Sequence, residues 1–342
     1  MKTLTTLCKP YANVVIVTDS NVGSLHAASL QQKLSAHIIT IPAGEQYKTR
    51  ETKAWIEDQL LEKQCGRDTI LIALGGGVVT DITGFVAATY CRGVPVIYIP
   101  TSLLAMVDAS IGGKTSVNTS HGKNLIGTFT KPMAVITDIA FLETLPDTEY
   151  VSAFSEIIKH ALIADKDYFS FIENNVAQLK AKNKLILTDV IQKSIDIKSN
   201  IVASDETEKN KREILNFGHT IAHALETVTQ HTITHGQAVY IGMLIESDLS
   251  HQMGLLSRVQ LERIQNLIAQ FNVPLQSSIH FSKDDFFRAL SLDKKTRNHQ
   301  PRFVLLNEIG KVLCHDNRYS HEVNQEIILC SSLSLLSHPL KN

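Results

Sequence analysis

The stretch 69-TILIALGGGVVTDITGF-85 runs from an apolar segment, Thr69 to Leu74, straight into Gly75, Gly76 and Gly77, then into helical spacing that starts near Val78. A short apolar run closed by glycines reads as a buried strand. Glycines between a strand and a helix let the backbone approach a pyrophosphate, whose charge the helix N-terminus favours. The spacing is not Gly-x-Gly-x-x-Gly, and three glycines at a strand end also make a plain tight turn. Asp81, inside the helical segment, and Lys48 are candidates to face the ribose and phosphates.

Working outward, "NVVIVTD", "AHIITIP", "VPVIYIPTSLL" and "MAVITD" are further β-branched runs, and "ETKAWIEDQLLEK" is an amphipathic helix among them. Buried strands alternating with crossover helices imply a parallel sheet covered on both faces. The first strand ends in "TDSNV", where adenosine contacts gather in open α/β sheets. After Pro146 helical periodicity takes over, in "EYVSAFSEIIKHALIADKDYFSFIENN", "LTDVIQKSIDIKSNIVASDE" and "GQAVYIGMLIESDLSHQMG". The fold class expected is α/β, a Rossmann-like nucleotide-binding domain over 1–148 followed by a mainly α-helical domain over 149–342, with the active site in the cleft between them.

The 342 residues suffice for two domains with buried cores. A formal charge of -1, with 44% hydrophobic and 20% charged residues, gives no general attraction to nucleic acid or anionic membrane. Any anion site must therefore be local. Five widely spaced cysteines without a Cys-x-x-Cys pair suggest neither a disulfide framework nor a zinc ribbon, and fit a reducing cytoplasm. Neither a signal peptide nor a membrane span is evident.

Local anion holders are present. The run "PTSLLAMVDASIGGKTSVNTSHGKNLIGTF" starts at Pro100 and holds two Gly-Lys steps, Gly113-Lys114 and Gly122-Lys123, with Asn124, Thr101 and Ser102 nearby. Charge plus unobstructed donors is what a phosphate requires, although two solvated loop lysines would read the same way. Arg92 offers a further cation, at the same site or at a subunit contact. In "REILNFGHTIAHALETVTQHTITHGQAV", His219 and His223 lie one helical turn apart and precede His231 and His235. Two imidazoles at that spacing can converge on one metal, or simply stand on a partly exposed helix. Thr220 occupies the place where a zinc protease needs its glutamate.

In order, "GEQYK" (44–48), "ALGGGVVTDITGFVAATYCRG" (73–93), "PTSLLAMVDASIGGKTSVN" (100–118), "GKNLIGTF" (122–129), "SEIIKHALI" (155–163), "IVASDE" (201–206), "REILNFGHTIAHALE" (212–226) and "HGQAVYIGM" (235–243) resemble the 3-dehydroquinate synthases. The joint pattern is far more specific than any part. It implies an NAD-dependent lyase that uses zinc, with cobalt as the alternative metal. The substrate implied is a small sugar phosphate, 3-deoxy-D-arabino-heptulosonate 7-phosphate, converted to 3-dehydroquinate and phosphate. The steps implied are transient oxidation, β-elimination, re-reduction, ring opening and intramolecular aldol closure. A cytoplasmic homodimer is expected, with neither nucleic acid nor membrane as partner.

The resemblance also assigns residues. Glu156, His219 and His235 are implied as metal ligands. His223 is implied to contact the substrate phosphate and assist proton transfer, while His231 receives no role. Further substrate contacts implied are Asp108, Lys114, Lys123, Asn124, Lys159, Lys198, Arg212, Asn216 and one of Lys294 and Lys295, with Arg92 beside the phosphate. Cofactor contacts implied are Asp19, Asn21, Glu45, Lys48, Gly75, Gly76, Gly77, Val78, Asp81, Thr101, Ser102, Lys114, Lys123, Phe141 and Thr144. Departures from the family pattern are Thr80 for a glycine, Ser155 for an alanine, and "KNK" (209–211) where a Gly-Leu pair usually precedes the arginine. Much of an N-terminal hairpin usual in the family is also expected to be missing. A sibling sugar phosphate cyclase and a metal-dependent polyol dehydrogenase of the glycerol dehydrogenase type are the competing readings. Lys198, Arg212 and the Lys294/Lys295 pair argue against the former, since its substrate has no carboxylate to hold.

Overall fold

The computed structural model describes residues 2–230, 232–273, 282–292, 301–324, 326–328 and 331. The chain forms two compact units, Met1–Tyr150 and Val151–Asn342. His231, Lys294 and Lys295 lie outside the described residues.

In the first unit the β-branched runs form strands β1 (Asn13–Asp19), β2 (His37–Ile41), β3 (Thr69–Gly75) and β4 (Val96–Pro100). Strands β5 (Lys114–Thr119) and β6 (Gly122–Phe129) pair antiparallel as a separate hairpin, and β7 (Ala134–Val135) returns to the sheet edge. The parallel sheet has the order β2-β1-β3-β4-β7. Alternation along β3 divides the core. Leu71 and Ala73 face Val79, Ile82 and Val86 of the Gly77–Thr89 helix together with Ile56 and Leu60, whereas Ile70, Ile72 and Leu74 face Ala27, Leu30 and Leu4. All seven β3 residues are buried, because helices cover both faces.

The chain passes from β1 to β2 on one side and then crosses to β3 on the other, so the strand order reverses beside β1. Thr18 sits opposite Leu74, which sets the carboxyl ends of β1 and β3 side by side. In open α/β sheets that reversal opens the crevice in which ligands bind. The β5–β6 hairpin is the element that periodicity does not reveal. Its "KTSVNT" strand is mostly polar, with Val117 its one fully buried aliphatic side chain.

The second unit is mainly helical. Its principal helices are Phe154–Ala164, Lys184–Ser204, His219–Val228, His235–Gln252 and Arg258–Gln270. Residues from Phe154 through Ile163 are all buried, so this helix is a core element rather than an amphipathic surface one. Asn183 caps the Lys184–Ser204 helix by accepting from the backbone N–H groups of Leu185 and Ile186. Thr234 and Gln237 form a reciprocal capping box, which fixes His235 as the first residue of its helix. Among the described residues, no helix is long and apolar enough to cross a membrane.

Candidate active site

The three glycines after β3 differ in what they do. A Cβ on Gly75 would stand 2.6 Å from Val79 Cβ, so close helix–strand packing demands glycine there. Gly76 has φ -77°, open to any residue, and its Cβ would meet Ser102 Oγ at an ordinary 3.4 Å. Packing therefore does not require a bare backbone at Gly76, but a close-lying pyrophosphate would. Gly76 and Gly77 lead into the 13-residue helix without a side-chain cap, leaving the first N–H groups, those of Gly77 and Val78 included, to other partners. Donors at a helix start, beside a strand-order reversal, fit a dinucleotide phosphate.

Beside this helix lies a polar network built on Lys48, which is 5% exposed. Its Nζ donates to Asp81 Oδ2 at 2.5 Å and to Asn124 Oδ1 at 2.6 Å. Ser116 Oγ donates to the same Asn124 oxygen at 2.8 Å. Asn118 extends the network, donating from Nδ2 to Glu45 Oε1 at 2.8 Å and accepting the Asn124 N–H at 3.0 Å. Asn124 itself has φ +56°, a left-handed conformation that asparagine tolerates better than most residues. The hairpin thus brings Asn124 to residues expected to hold the cofactor, and adds Ser116 and Asn118, which sequence alone does not single out. The alternation of "TSVN" along a strand is the available signal.

The other first-unit residues are placed as follows. Asp19 caps the turn after β1, accepting from Asn21 N and Val22 N at 2.9 Å each. Thr101 N–H donates to Gly75 O at 3.0 Å, and Ser102 Oγ accepts from Ala105 N at 3.2 Å. Asp108 lies in the Ala105–Ala109 turn of helix. Lys114 opens β5 and Lys123 follows the first residue of β6. Thr144 Oγ1 meets His26 Nε2 at 2.9 Å, and the His26 ring packs edge-on against Phe141 with centroids 5.0 Å apart. Arg92 is exposed and left-handed, at φ +67°.

In the second unit Glu156, His219 and His235 each stand in the first turn of a helix. Glu156 is 1% exposed, and its Oε2 pairs with the buried Lys159. Its Oε1 is buried without a hydrogen bond and lies 3.5 Å from His219 Nε2 and 3.8 Å from His235 Nε2. A buried carboxylate oxygen left unsatisfied is costly, unless a cation lies among the three atoms. Ligands held at about 2.0–2.2 Å from one tetrahedral ion stand roughly 3.3–3.6 Å apart, close to these separations. The other ring nitrogens face acceptors: His219 Nδ1 lies 3.1 Å from Phe217 O, and His235 Nδ1 lies 3.5 Å from Glu226 Oε2. Two imidazoles and one carboxylate, with Nε2 turned inward, form a donor set suited to a divalent ion with open positions. His223 stacks edge-on beside His219 at 5.7 Å between centroids, one turn along the helix. Glu226 is missed by motif reading, although His219, His223 and Glu226 at i, i+4 and i+7 share one helix face.

The remaining cations stand on the Lys184–Ser204 helix and in the short helical segment Lys211–Asn216. Lys198 and Arg212 are buried, at 7% and 2% exposure. Asp205 ties the 205–212 loop by accepting backbone N–H bonds from Lys209, Asn210 and Arg212 at 3.0, 2.7 and 3.1 Å. Burial is the largest single influence on its carboxyl and pushes it up, but these N–H bonds and the Arg212 charge outweigh it and hold the group below its ordinary value. The loop with the unusual "KNK" is thus closed by its own aspartate. Asn216 Nδ2 donates to Glu208 Oε1 at 2.9 Å.

Comparison with known proteins matches the family profile described as 3-dehydroquinate synthase N-terminal to residues 38–152, and that described as 3-dehydroquinate synthase C-terminal to residues 153–296. The 3-dehydroquinate synthase of Nitrosospira multiformis is 42% identical over 308 residues, spanning 88% of this chain and 84% of that protein. Among solved structures, 2-deoxy-scyllo-inosose synthase complexed with carbaglucose-6-phosphate, NAD+ and Co2+ superposes with TM-score 0.88 at 25% identity, over 97% of this chain and 94% of that one. ValA, the 2-epi-5-epi-valiolone synthase of Streptomyces hygroscopicus subsp. jinggangensis 5008 with NAD+ and Zn2+ bound, superposes with TM-score 0.87 at 29% identity, covering 96% and 92%.

Proposed function

The chain belongs to the 3-dehydroquinate synthase family, and from that premise we propose that it converts 3-deoxy-D-arabino-heptulosonate 7-phosphate to 3-dehydroquinate and inorganic phosphate. The observation that carries the reading is the buried Glu156 oxygen facing two imidazole nitrogens at 3.5 and 3.8 Å, in a chain whose other half has a phosphate-ready glycine turn. When bound, NAD supplies a hydride acceptor that becomes the donor, and a divalent zinc or cobalt ion supplies Lewis acidity.

The chain's own residues do the rest. Glu156, His219 and His235 hold the metal, and Lys159 offsets the Glu156 charge. The Gly75–Gly77 turn, Lys48 and Asp81 seat the cofactor, with Thr101, Ser102, Phe141 and Thr144 as further contacts. Arg212 and Lys198 hold the substrate carboxylate; the guanidinium fork suits a bidentate grip. Lys114, Asn124, Arg92 and His223 are the residues assigned to orient the phosphate and offset its charge as it leaves. The phosphate oxygen itself takes the proton released in that β-elimination. Both charged side chains assigned to the carboxylate are buried, which supports an acid substrate over the sugar phosphates without a carboxylate that sibling cyclases take. The reading includes a cytoplasmic homodimer.

The test supplies purified protein with the heptulosonate phosphate, catalytic NAD and zinc, and follows phosphate and NADH together. Phosphate release without net NADH, abolished by chelation, is expected. Steady NADH formation from polyols with no phosphate release would reject the reading in favour of a dehydrogenase.

A further inference from the structure

Two buried carboxylates outside the proposed ligand set lie between the helices that carry the two histidines. Glu226 belongs to the His219–Val228 helix, and its Oε2 lies 3.5 Å from Nδ1 of His235 on the neighbouring helix. Glu246 belongs to the His235–Gln252 helix, is fully buried, and its Oε2 accepts the Gly218 N–H at 2.7 Å. Gly218 is the residue before His219. Each helix therefore sends one carboxylate across to the start of the other.

Burying a carboxylate is unfavourable unless its position is used. Here each one ends on a group adjoining a candidate ligand. The His235 ring stands between two carboxylates, with Nε2 3.8 Å from Glu156 Oε1 and Nδ1 3.5 Å from Glu226 Oε2. A carboxylate at Nδ1 favours the proton there, which leaves the Nε2 lone pair for a cation. On the other side, His219 Nδ1 faces Phe217 O at 3.1 Å, just before the left-handed Gly218 turn that Glu246 holds. Glu246 is anchored in turn: Ser250 Oγ donates to its main-chain oxygen at 2.7 Å and accepts Leu306 N–H at 3.0 Å.

We propose that Glu226 and Glu246 form a reciprocal brace, positioning residues that act through His235 and His219 and keep both Nε2 atoms at ligand distance from Glu156 before any metal arrives. The proposal rests on the reading of Glu156, His219 and His235 as ligands. No chemistry is assigned to the two carboxylates themselves; they set the geometry and affinity of the site.

The test is titration of metal-free full-length protein with cobalt(II), followed by its visible spectrum and by competition with a chelator. The proteins compared are wild type, H219A, E226A, E226Q, E246A and E246Q, with circular dichroism as the check on folding. Wild type is expected to bind and H219A to lose the site. E226A and E246A are expected to weaken binding by about 10–100-fold and to alter the cobalt spectrum. E226Q and E246Q keep an acceptor oxygen and are expected to recover much of both. If E246A does not fold, E246M, which fills the space without an acceptor, takes its place. Folded E226A and E246A (or E246M) with the wild-type cobalt affinity and spectrum would overturn the brace while leaving the ligand reading intact. A wild-type protein that binds no cobalt, or an H219A protein that binds it undiminished, would overturn the ligand reading and the brace with it.

Discussion

Gly242→Ala sets two effects of opposite sign against each other at the proposed metal site. Gly242 lies inside the His235–Gln252 helix, where alanine is favoured over glycine by about 1 kcal/mol of helix propensity. A Cβ at this position would stand 1.9 Å from the Gly218 carbonyl oxygen and 3.1 Å from Gly218 Cα. Carbon and carbonyl oxygen approach to about 3.3 Å at the closest, so the helices must separate by more than roughly 1 Å. The obstructing atom is backbone, and no side-chain rotamer relieves it. Gly218 cannot retreat freely either, with φ +80° and Met243 Cγ only 2.8 Å from where its own Cβ would be. Overpacking of this kind costs about 1–3 kcal/mol, enough to cancel the propensity gain of about 1 kcal/mol and leave a net loss of up to about 2 kcal/mol. The displacement also falls between His219 and His235, whose rings are 5.4 Å apart. Misplacement by about 1 Å can lower activity some 100-fold. Urea unfolding, zinc content after gel filtration and phosphate release would all be measured on G242A. A variant at least as stable as wild type that retains its zinc would refute the reasoning, because propensity would then have outweighed the clash.

Three further outcomes are expected. H219A should lose zinc and turnover, whereas H223A should keep zinc and lose rate; equal zinc loss, read by metal analysis, would contradict the separate roles assigned to this pair. K48M removes the cation that bridges Asp81 and Asn124, and should weaken NAD binding in calorimetry by tenfold or more while leaving zinc content unchanged. The Asp205 carboxyl is held below its ordinary value, so its loop contribution to stability is fully present above about pH 4 and is lost as pH falls through the lower folded-state value. Urea midpoints measured into the acid range should therefore fall more steeply for wild type than for D205N, and parallel curves would exclude the effect.

Local pattern in the sequence suffices for the alternation of strand and helix, the apolar β3 that ends in glycine, and the change to helical texture beyond Pro146, because hydrophobic period records which face of each element is buried. The order β2-β1-β3-β4-β7 and its reversal beside β1 depend on which strands meet, and that is a non-local choice. The polar β5–β6 hairpin escapes pattern reading because its pairing rests on backbone bonds and on Asn124, Ser116 and Lys48, with little apolar alternation to announce it. Histidines at 219 and 223 advertise a possible metal pair, yet the atoms that converge belong to His219, His235 and Glu156, on three different helices. Glu156 carries no local mark among the charged residues of the second half, and only its family motif draws attention to it. Its distinction is tertiary: the fold buries one carboxylate oxygen beside two imidazoles, where the low dielectric makes an uncompensated charge costly and a bound cation favourable.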